Sequence, residues 1–174
     1  MKHMIHITLK GGAVKEFEAP VTPMQIAKSI GEGLYKAVCV AKIDGVVRDL
    51  RTPIEKDAQV ELLTFDDEEG KRAFWHTASH VMAQAVLHLF PGVKCAIGPA
   101  IKDGFYYDFD VEKPFTPEDL EKIEAEMKKI VKQGIPLERF ELPPAEALEL
   151  MKDDPYKVEL IGEHSGKGEA ISFF

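Results

Sequence analysis

Two histidines, His76 and His80, stand four residues apart in a segment whose apolar spacing is typical of an amphipathic helix. Side chains at positions i and i+4 of a helix lie on one face, with Cβ atoms about 5–6 Å apart. Two imidazole rings at that separation can share a metal ion, a water molecule or a substrate hydroxyl. Neutral histidine, with an ordinary pKa of about 6.5, also suits water activation at physiological pH. The alternative is an ordinary pair of surface or half-buried histidines.

Zinc is the first metal to consider for this pair. Catalytic zinc usually takes three protein ligands, and a metalloprotease helix has a glutamate beside its first histidine, where this chain has Thr77. His88 lies two turns beyond His80, about 12 Å along the helix axis. Cys95 would reach the pair only if the intervening loop folded back. We therefore assign no metal ligands from the sequence.

The helix that carries the histidines is expected to pack through a different face. A stripe with 3-4-4-4 spacing predicts its buried side, formed by Phe74, Ala78, Val81, Ala85 and Leu89 and widened by Met82 and Val86. The histidines belong to a second stripe, rotated away from the first, which also contains Gln84 and His88.

Downstream of this helix, an aromatic run over residues 105–109 predicts a strand. Alternation turns Tyr107 toward the apolar face, where its hydroxyl needs a hydrogen-bond partner.

Thr116-Pro117 predicts the start of a second helix, because threonine caps helices and proline suits the first helical position. A short helix over residues 145–152 is expected to end at Asp153-Asp154-Pro155, just before Lys157.

Residues 1–64 have a different pattern. Period-2 alternation predicts a hairpin over residues 4–19, Thr22-Pro23 predicts a helix start, and three further strands follow at 37–43, 46–50 and 59–64. The order ββαβββ is typical of a β-grasp, ubiquitin-like module. A charged stretch then separates two domains, predicted at 1–64 and 65–174. We expect an α+β protein, whose second domain packs the long histidine-bearing helix on a mostly antiparallel sheet.

Composition limits the function classes. The chain has 174 residues, 45% of them hydrophobic, and a net charge of −8. Any contact with nucleic acid therefore needs a local basic patch or a basic partner domain. The apolar stretches are too short to span a bilayer and the N-terminus is unlike a signal peptide, so no membrane partner is expected. Cys39 and Cys95 are expected to be reduced, buried thiols, which favours a cytoplasmic protein.

Together, these motifs resemble the N-terminal region of the threonyl-tRNA synthetase family. The matching segments keep their order and spacing over residues 70–161, and they are His76-x-x-x-His80, Phe90-Pro91-Gly92, Ala96-Ile97-Gly98-Pro99, Asp103-Gly104-Phe105-Tyr106-Tyr107-Asp108, Phe115-Thr116-Pro117-Glu118-Asp119-Leu120 and Pro155-Tyr156-Lys157. Residues 1–64 resemble the TGS module that precedes the editing domain in this family. TGS modules also occur in GTPases and in stringent-response enzymes.

The resemblance implies a proofreading domain that hydrolyses serine mischarged onto threonine tRNA, within an ATP-dependent ligase. It places His76 and His80 in the editing pocket, where they hold the water or the terminal ribose of the tRNA. It places Tyr107 against the 3′-terminal adenosine or the seryl group, and Lys157 where it binds the water or stabilises the oxyanion. It implies tRNA as partner, no cofactor in this chain, and a catalytic core elsewhere that holds ATP, magnesium, zinc and a homodimer contact.

One expected segment has no match in this chain. The family's editing domain continues into an Asp-x-Cys-x-x-x-Pro-His segment that completes the pocket, and nothing after Lys157 resembles it. We therefore expect an N-terminal piece of a longer enzyme, which alone deacylates seryl-tRNA weakly or not at all. Two alternatives stay open. One is a non-catalytic module that binds RNA or a regulatory partner, and the other is a zinc-dependent aminoacyl-tRNA deacylase of the alanyl type.

Overall fold

The structure is a computed structural model that describes residues 3–134, 140–165 and 171–173. Contacts between residues divide the chain into two compact units, Met1–His76 and Thr77–Phe174. The division falls inside one long helix, α3 (Glu68–Leu89). The expected domain boundary after residue 64 stays a prediction. Residues 65–76, which follow that boundary, belong to the first unit when the chain is divided by contacts between residues.

A five-stranded sheet forms the first unit. Its strands are β1 (Met4–Leu9), β2 (Val14–Glu18), β3 (Val38–Ile43), β4 (Val46–Arg48) and β5 (Ala58–Thr64). They lie in the order β2-β1-β5-β3-β4, and every adjacent pair is antiparallel except β1 and β5, which run parallel. The predicted hairpin and the three later strands are all present, with bounds that shift by one or two residues.

The helix α1 (Pro23–Ile30) covers this sheet and begins as its sequence indicates. Thr22 Oγ1 accepts a hydrogen bond from the Gln25 backbone at 3.3 Å, and Gln25 Oε1 accepts one from the Thr22 backbone at 2.9 Å. This reciprocal capping box satisfies two backbone donors that have no partner inside the helix. Ile26 and Ala27, on the inner face of α1, are fully buried.

The connection after α1 differs from the prediction. The sequence predicts one helix between the hairpin and the later strands, but a second short helix, α2 (Glu32–Ala37), follows Gly31 at once and contains Gly33. Gly31 has an extended backbone that breaks α1, and its carbonyl then accepts the Tyr35 backbone hydrogen bond at 3.0 Å. One residue thus ends one helix and caps the next, and the order becomes ββααβββ.

The turn between β5 and α3 brings two backbones into close approach. Asp67 accepts a hydrogen bond from the Thr64 backbone at 2.8 Å and returns one from its own backbone to the Thr64 carbonyl at 3.0 Å. Gly70 is buried in the first turn of α3, and a Cβ atom there would collide with the Thr64 carbonyl group. Only glycine fits this position without moving the strand or the helix.

Gly70→Ala is therefore expected to destabilise the first unit by about 2–3 kcal/mol, since overpacking against backbone cannot relax by a rotamer change. Urea unfolding followed by the fluorescence of Trp75, the sole tryptophan, measures this loss. Gly33→Ala is the matched control, because nothing lies within 4 Å of a Cβ atom there and alanine favours the helix. Equal unfolding midpoints for the two variants would contradict the prediction.

The second unit is built on the remainder of α3 and on α4 (Pro117–Gln133). Thr116 and Asp119 form another capping box, as Thr116-Pro117 predicts. The two helices share a buried apolar cluster of Ala85, Val86, Ile123 and Ile130.

The predicted packing stripe of α3 is partly wrong. Phe74 is 46% exposed and packs edge-on against Phe65, with ring centroids 5.0 Å apart. Ser79, at 1% exposure, and Ala83 are buried instead. The first two turns of α3 belong to the first unit, so one continuous stripe does not describe the whole helix.

The described strands of the second unit form three short antiparallel ladders. They pair β6 (Lys94–Cys95) with β9 (Phe109–Asp110), β7 (Ala100–Ile101) with β8 (Gly104–Phe105), and β10 (Phe140–Leu142) with β11 (Ile171–Phe173). The predicted aromatic strand is interrupted at residues 106–108, because its two ends pair with different partners. The sequence also predicts a strand over residues 137–142, of which residues 137–139 lie outside the described residues.

Two short helices complete the second unit, α5 (Pro144–Leu150) and α6 (Pro155–Ser165). The α+β class and the antiparallel pairing are confirmed. Across the described part of the chain, no helix is both long and apolar enough to cross a lipid bilayer.

Candidate functional site

The ladder of β6 and β9 determines which side chains share a face. Cys95 lies directly opposite Phe109. The pairing continues toward the turn, since the Ala96 backbone donates to the Asp108 carbonyl at 2.9 Å. Directly opposed residues share a face of an antiparallel pair, and residues two apart along a strand also share one. Tyr107 therefore lies on the same side as Cys95 and Phe109.

The ring of Tyr107 is held by its neighbours. It stacks on Phe109, with centroids 4.8 Å apart and an interplanar angle of 16°. Gly98 approaches the ring so closely that a Cβ atom there would collide with it. The Tyr107 hydroxyl and the Cys95 thiol each influence the pKa of the other. The predicted alternation is confirmed, because Tyr107 is half-buried whereas Tyr106 is 50% exposed.

The same neighbours keep the phenol protonated. Burial, reinforced by Cys95 and by the negative charge of Asp154, raises the pKa of Tyr107 to about 12. Burial also raises the pKa of the Cys95 thiol, an effect that Asp154 increases and Lys157 opposes. At neutral pH the two groups are therefore a neutral phenol and a neutral thiol.

The start of α6 brings Lys157 to this group. Asp154 Oδ1 accepts the backbone hydrogen bonds of Tyr156 at 3.1 Å and Lys157 at 3.2 Å, and so caps the helix. The Tyr156 hydroxyl donates to Asp110 Oδ2 at 3.2 Å, which ties α6 to β9. Both Asp154 and Lys157 then act electrostatically on Cys95. The start of α6, which carries Lys157, therefore lies beside the strand segment that carries Tyr107.

The two histidines occupy α3, as the sequence predicts. His76 and His80 are one helical turn apart, and His80 is half-buried. Burial lowers the pKa of His76, which favours its neutral form near pH 7. His76 as a whole residue is exposed, so water can reach its ring.

The third histidine of the polar stripe has another partner. His88 Nδ1 lies 3.4 Å from Glu126 Oε1 on α4. Within the described ranges, no three His, Cys, Asp or Glu side chains lie close enough together to hold a metal ion.

Sequence reasoning missed three residues around Tyr107, namely Cys95, Gly98 and Asp154. The sequence indicates Cys95 as a buried thiol that reaches the histidine pair only through a folded-back loop, Gly98 as part of a motif, and Asp154 as a helix breaker. Asp154 could have been found, because Asp154-Pro155 repeats the cap-plus-proline pattern of Thr116-Pro117. The contacts of Cys95 and Gly98 depend on a pairing register between two-residue strands, for which the sequence carries no local signal.

Comparisons with known proteins agree with this architecture. The TGS domain family matches residues 5–64. The chain is 56% identical over 171 residues to a threonine–tRNA ligase of Clostridium perfringens, an alignment that covers 98% of this chain and 26% of that protein. It is 54% identical over 173 residues to one of Acetivibrio thermocellus, with 98% and 27% covered. It is 55% identical over 170 residues to one of Caldanaerobacter subterraneus, with 97% and 26% covered.

The chain thus spans about a quarter of the length of these curated relatives. The similarity extends over nearly all of its residues, through the histidine helix, the Tyr107 strand and α6, and the TGS domain lies at the start. The resemblance found in the motifs is confirmed, and the chain belongs to the threonine–tRNA ligase family as an N-terminal region that begins with a TGS domain.

Proposed function

We propose that this chain is the proofreading region of a ligase that joins threonine to its tRNA, and that it hydrolyses seryl-tRNA formed there by error. A pocket that accepts threonine cannot strongly reject serine, which lacks one methyl group, because such a difference is worth about 1–3 kcal/mol. A second site that admits the smaller product removes the error. The observation that supports the proposal is the meeting of the Tyr107 strand with the start of α6, which carries Lys157, through the hydrogen bond from the Tyr156 hydroxyl to Asp110.

That meeting supports the proposal because the two residues are separated by 50 positions in the chain. The family resemblance assigns both to one editing pocket, and the contact of α6 with β9 supports their closeness. Two unrelated surface residues would have no reason to share this neighbourhood. The histidine pair on α3 supplies the base that ester hydrolysis needs.

The chemistry follows from the protonation states. A neutral imidazole of His76 or His80 accepts a proton from water as the water oxygen bonds to the seryl carbonyl carbon. Lys157 stabilises the negative charge that develops on the carbonyl oxygen. When the ester bond breaks, the imidazolium returns the proton to the ribose oxygen, which releases serine and intact tRNA. Tyr107 holds the aminoacyl end in place as a neutral phenol.

The partner of this region is the acceptor end of threonine tRNA. With a net charge of −8 the chain lacks a general attraction for phosphates, so the remainder of the ligase must supply much of the tRNA affinity. We place ATP, magnesium, zinc and the homodimer contact in that remainder. The proposed location of the reaction is the cytoplasm, where tRNA is charged.

Lys157→Met in the intact ligase tests the proposal. We expect hydrolysis of seryl-tRNA to fall about tenfold, since the variant keeps the apolar stem and loses one charge-assisted contact to the transition state. Release of serine from purified seryl-tRNA, measured at saturating substrate, gives the rate.

The control for this test is Lys152→Met, because Lys152 is exposed and its ammonium contacts only Glu149 among the described residues, at 2.7 Å. Attachment of threonine should be unchanged in both variants. Equal hydrolysis by the Lys157 and Lys152 variants would argue against a role in catalysis. It would favour the non-catalytic binding module, in which only tRNA affinity changes.

A further inference from the structure

The first two turns of α3 belong to the first unit, and they carry His76 at their end. The start of a helix frays readily, because its first four N–H groups have no acceptor inside the helix and a terminal turn opens at little cost in free energy. A histidine near such an end can act as a base only while these turns are formed. The contacts that hold them to the first unit therefore decide where the His76 imidazole lies.

Polar contacts hold the first turn. The paired hydrogen bonds of Thr64 and Asp67 fix its backbone, and the Asp67 carbonyl also accepts the Lys71 backbone hydrogen bond at 2.8 Å. Lys42 on β3 forms an ion pair with Glu69 on α3. The hydrogen bond between the two side chains lowers the pKa of Glu69 and raises that of Lys42, so both groups are charged at neutral pH. The start of α3 is thereby tied to β3 as well as to the end of β5.

Aromatic contacts hold the second turn. The ring of Phe65, which directly follows β5, lies edge-on to Phe74 and Trp75, with ring centroids 5.0 and 5.7 Å away. The Lys71 ammonium lies 5.4 Å from the centroid of the Phe65 ring, within the range of a cation–π attraction. Positions 71, 74 and 75 share one face of a helix. Phe65 thus packs along that face, as far as the residue before His76.

We propose that the first unit positions His76, with Phe65 and the Lys42–Glu69 pair as the positioning residues that keep its turn of α3 formed. The inference rests on the proposed function for its effect on the rate, though not for the anchoring of the helix. His80 lies one turn farther along, in the second unit, so loss of these ties acts first on His76. The β-grasp module thereby takes part in hydrolysis, although none of the proposed catalytic residues lies on its sheet.

Reversing one charge of the ion pair in the intact ligase tests the proposal. Lys42→Glu should lower kcat for seryl-tRNA hydrolysis about 3- to 10-fold, the factor expected if the turns are formed for only about a third to a tenth of the time. KM and threonine attachment should stay nearly constant, because His76 acts on the water and not on tRNA binding. The double variant Lys42→Glu/Glu69→Lys again has opposite charges at the two positions and should recover most of the rate.

Each tie has a matched control in the same unit. Lys10→Glu reverses an exposed charge whose partner is Glu61 of β5 at 3.8 Å, and it should leave hydrolysis unchanged. Phe65→Leu tests the aromatic tie, because it keeps an apolar side chain but loses the ring contacts, and it should lower kcat as Lys42→Glu does. Phe17→Leu is its control, since Phe17 packs on the core of the sheet and its loss should lower stability without lowering kcat.

Hydrogen exchange on the full chain, without substrate, measures the anchoring itself. Peptides that cover residues 70–76 should exchange at least about tenfold faster in Lys42→Glu and in Phe65→Leu, because exchange reports local opening. Peptides from β1 and α4 should exchange as before, which separates release of the helix start from general unfolding. The double variant with exchanged charges should again exchange slowly.

The outcomes separate this inference from the proposed function. Unchanged exchange over residues 70–76 in both variants overturns the anchoring, and faster exchange with unchanged kcat overturns the positioning role. An additive loss when Lys42→Glu is combined with His76→Ala overturns it too, since the ion pair would then act through another group. If exchange rises but the unsubstituted ligase does not hydrolyse seryl-tRNA, the anchoring stands and the proofreading function fails. Should Lys42→Glu not fold, Phe65→Leu decides through the same two measurements.

Discussion

Replacing His76 and His80 together by alanine should reduce seryl-tRNA hydrolysis by the intact ligase at least about 100-fold and leave attachment of threonine unchanged. General acid–base catalysis typically contributes about 10²–10⁴-fold to a rate. The double variant removes both imidazoles that α3 presents one turn apart. Ligases that lack hydrolysis should also accumulate seryl-tRNA when serine is supplied with ATP, which gives a second measurement of the same loss.

The control for this experiment is His88→Ala on the same helix. His88 is exposed and its ring contacts Glu126 of α4, so it has no part in the proposed chemistry. Its replacement removes the same side chain from the same element without touching the pair. Hydrolysis by the double variant at the His88→Ala rate would eliminate the proofreading hypothesis.

The pH dependence of hydrolysis gives an independent check of the base. The reaction needs a neutral imidazole, so the rate falls as pH drops through the pKa of the essential histidine. Burial lowers the pKa of His76, which places this acid limb below the ordinary histidine value of about 6.5. If His76 is the base, the hydrolysis rate of His80→Ala should fall over the same acidic pH range as that of the unsubstituted ligase. A limb above the ordinary value would assign the base to another group.

Local signals in the sequence predict most of the elements of this fold. Thr22-Pro23 and Thr116-Pro117 start helices because a hydroxyl cap and a preset proline φ both act within one turn. The alternation of Phe105, Tyr107 and Phe109 predicts which side chains are buried even where the strand is interrupted, since an extended backbone imposes it.

The errors occur where the outcome depends on distant residues. Gly31 ends one helix and starts another, which neither helix propensity nor glycine content indicates. Phe74 continues the apolar stripe of α3 in sequence, yet it meets Phe65 because the first turns of α3 belong to another core. Periodicity identifies a face of a helix, but it does not identify what packs against each turn.

The candidate site was even less accessible to local reasoning. The spacing of His76 and His80 identifies a pair, but nothing near Lys157 distinguishes it from other lysines. Its association with Tyr107 came from the family resemblance. In the structure that association depends on the Asp154 cap and on the register of a two-residue ladder, both of which are tertiary features.

Gly98 offers the sharpest test of whether that tertiary arrangement matters. A methyl group at this position would overlap the ring of Tyr107, and Phe109 stacks on the ring at 4.8 Å. Gly98→Ala therefore has to displace Tyr107. Misplacing a substrate-positioning group by about 1 Å can cost about 100-fold in rate. We expect a loss of that size in seryl-tRNA hydrolysis, with threonine attachment unchanged.

The Gly98→Ala variant should also lose about 1–3 kcal/mol of stability in the second unit, the usual range for overpacking. Gly162→Ala on α6 is the matched control, since nothing lies within 4 Å of a Cβ atom there and alanine suits a helix. Urea unfolding followed by circular dichroism measures both variants. Full hydrolysis by a folded Gly98→Ala protein would show that the position of the Tyr107 ring is irrelevant to the reaction.

A double-mutant cycle then identifies the colliding partner. If the cost of Gly98→Ala arises from the Tyr107 ring, the same substitution made in a Tyr107→Ala background should cost little stability, because the methyl group enters the space that the ring has left. If it arises from backbone strain, the cost should persist, although Gly98 does not have the positive φ that would cause such strain. A persistent cost would therefore mean that Gly98 preserves the connection between β6 and β7, and the positioning of Tyr107 would need another origin.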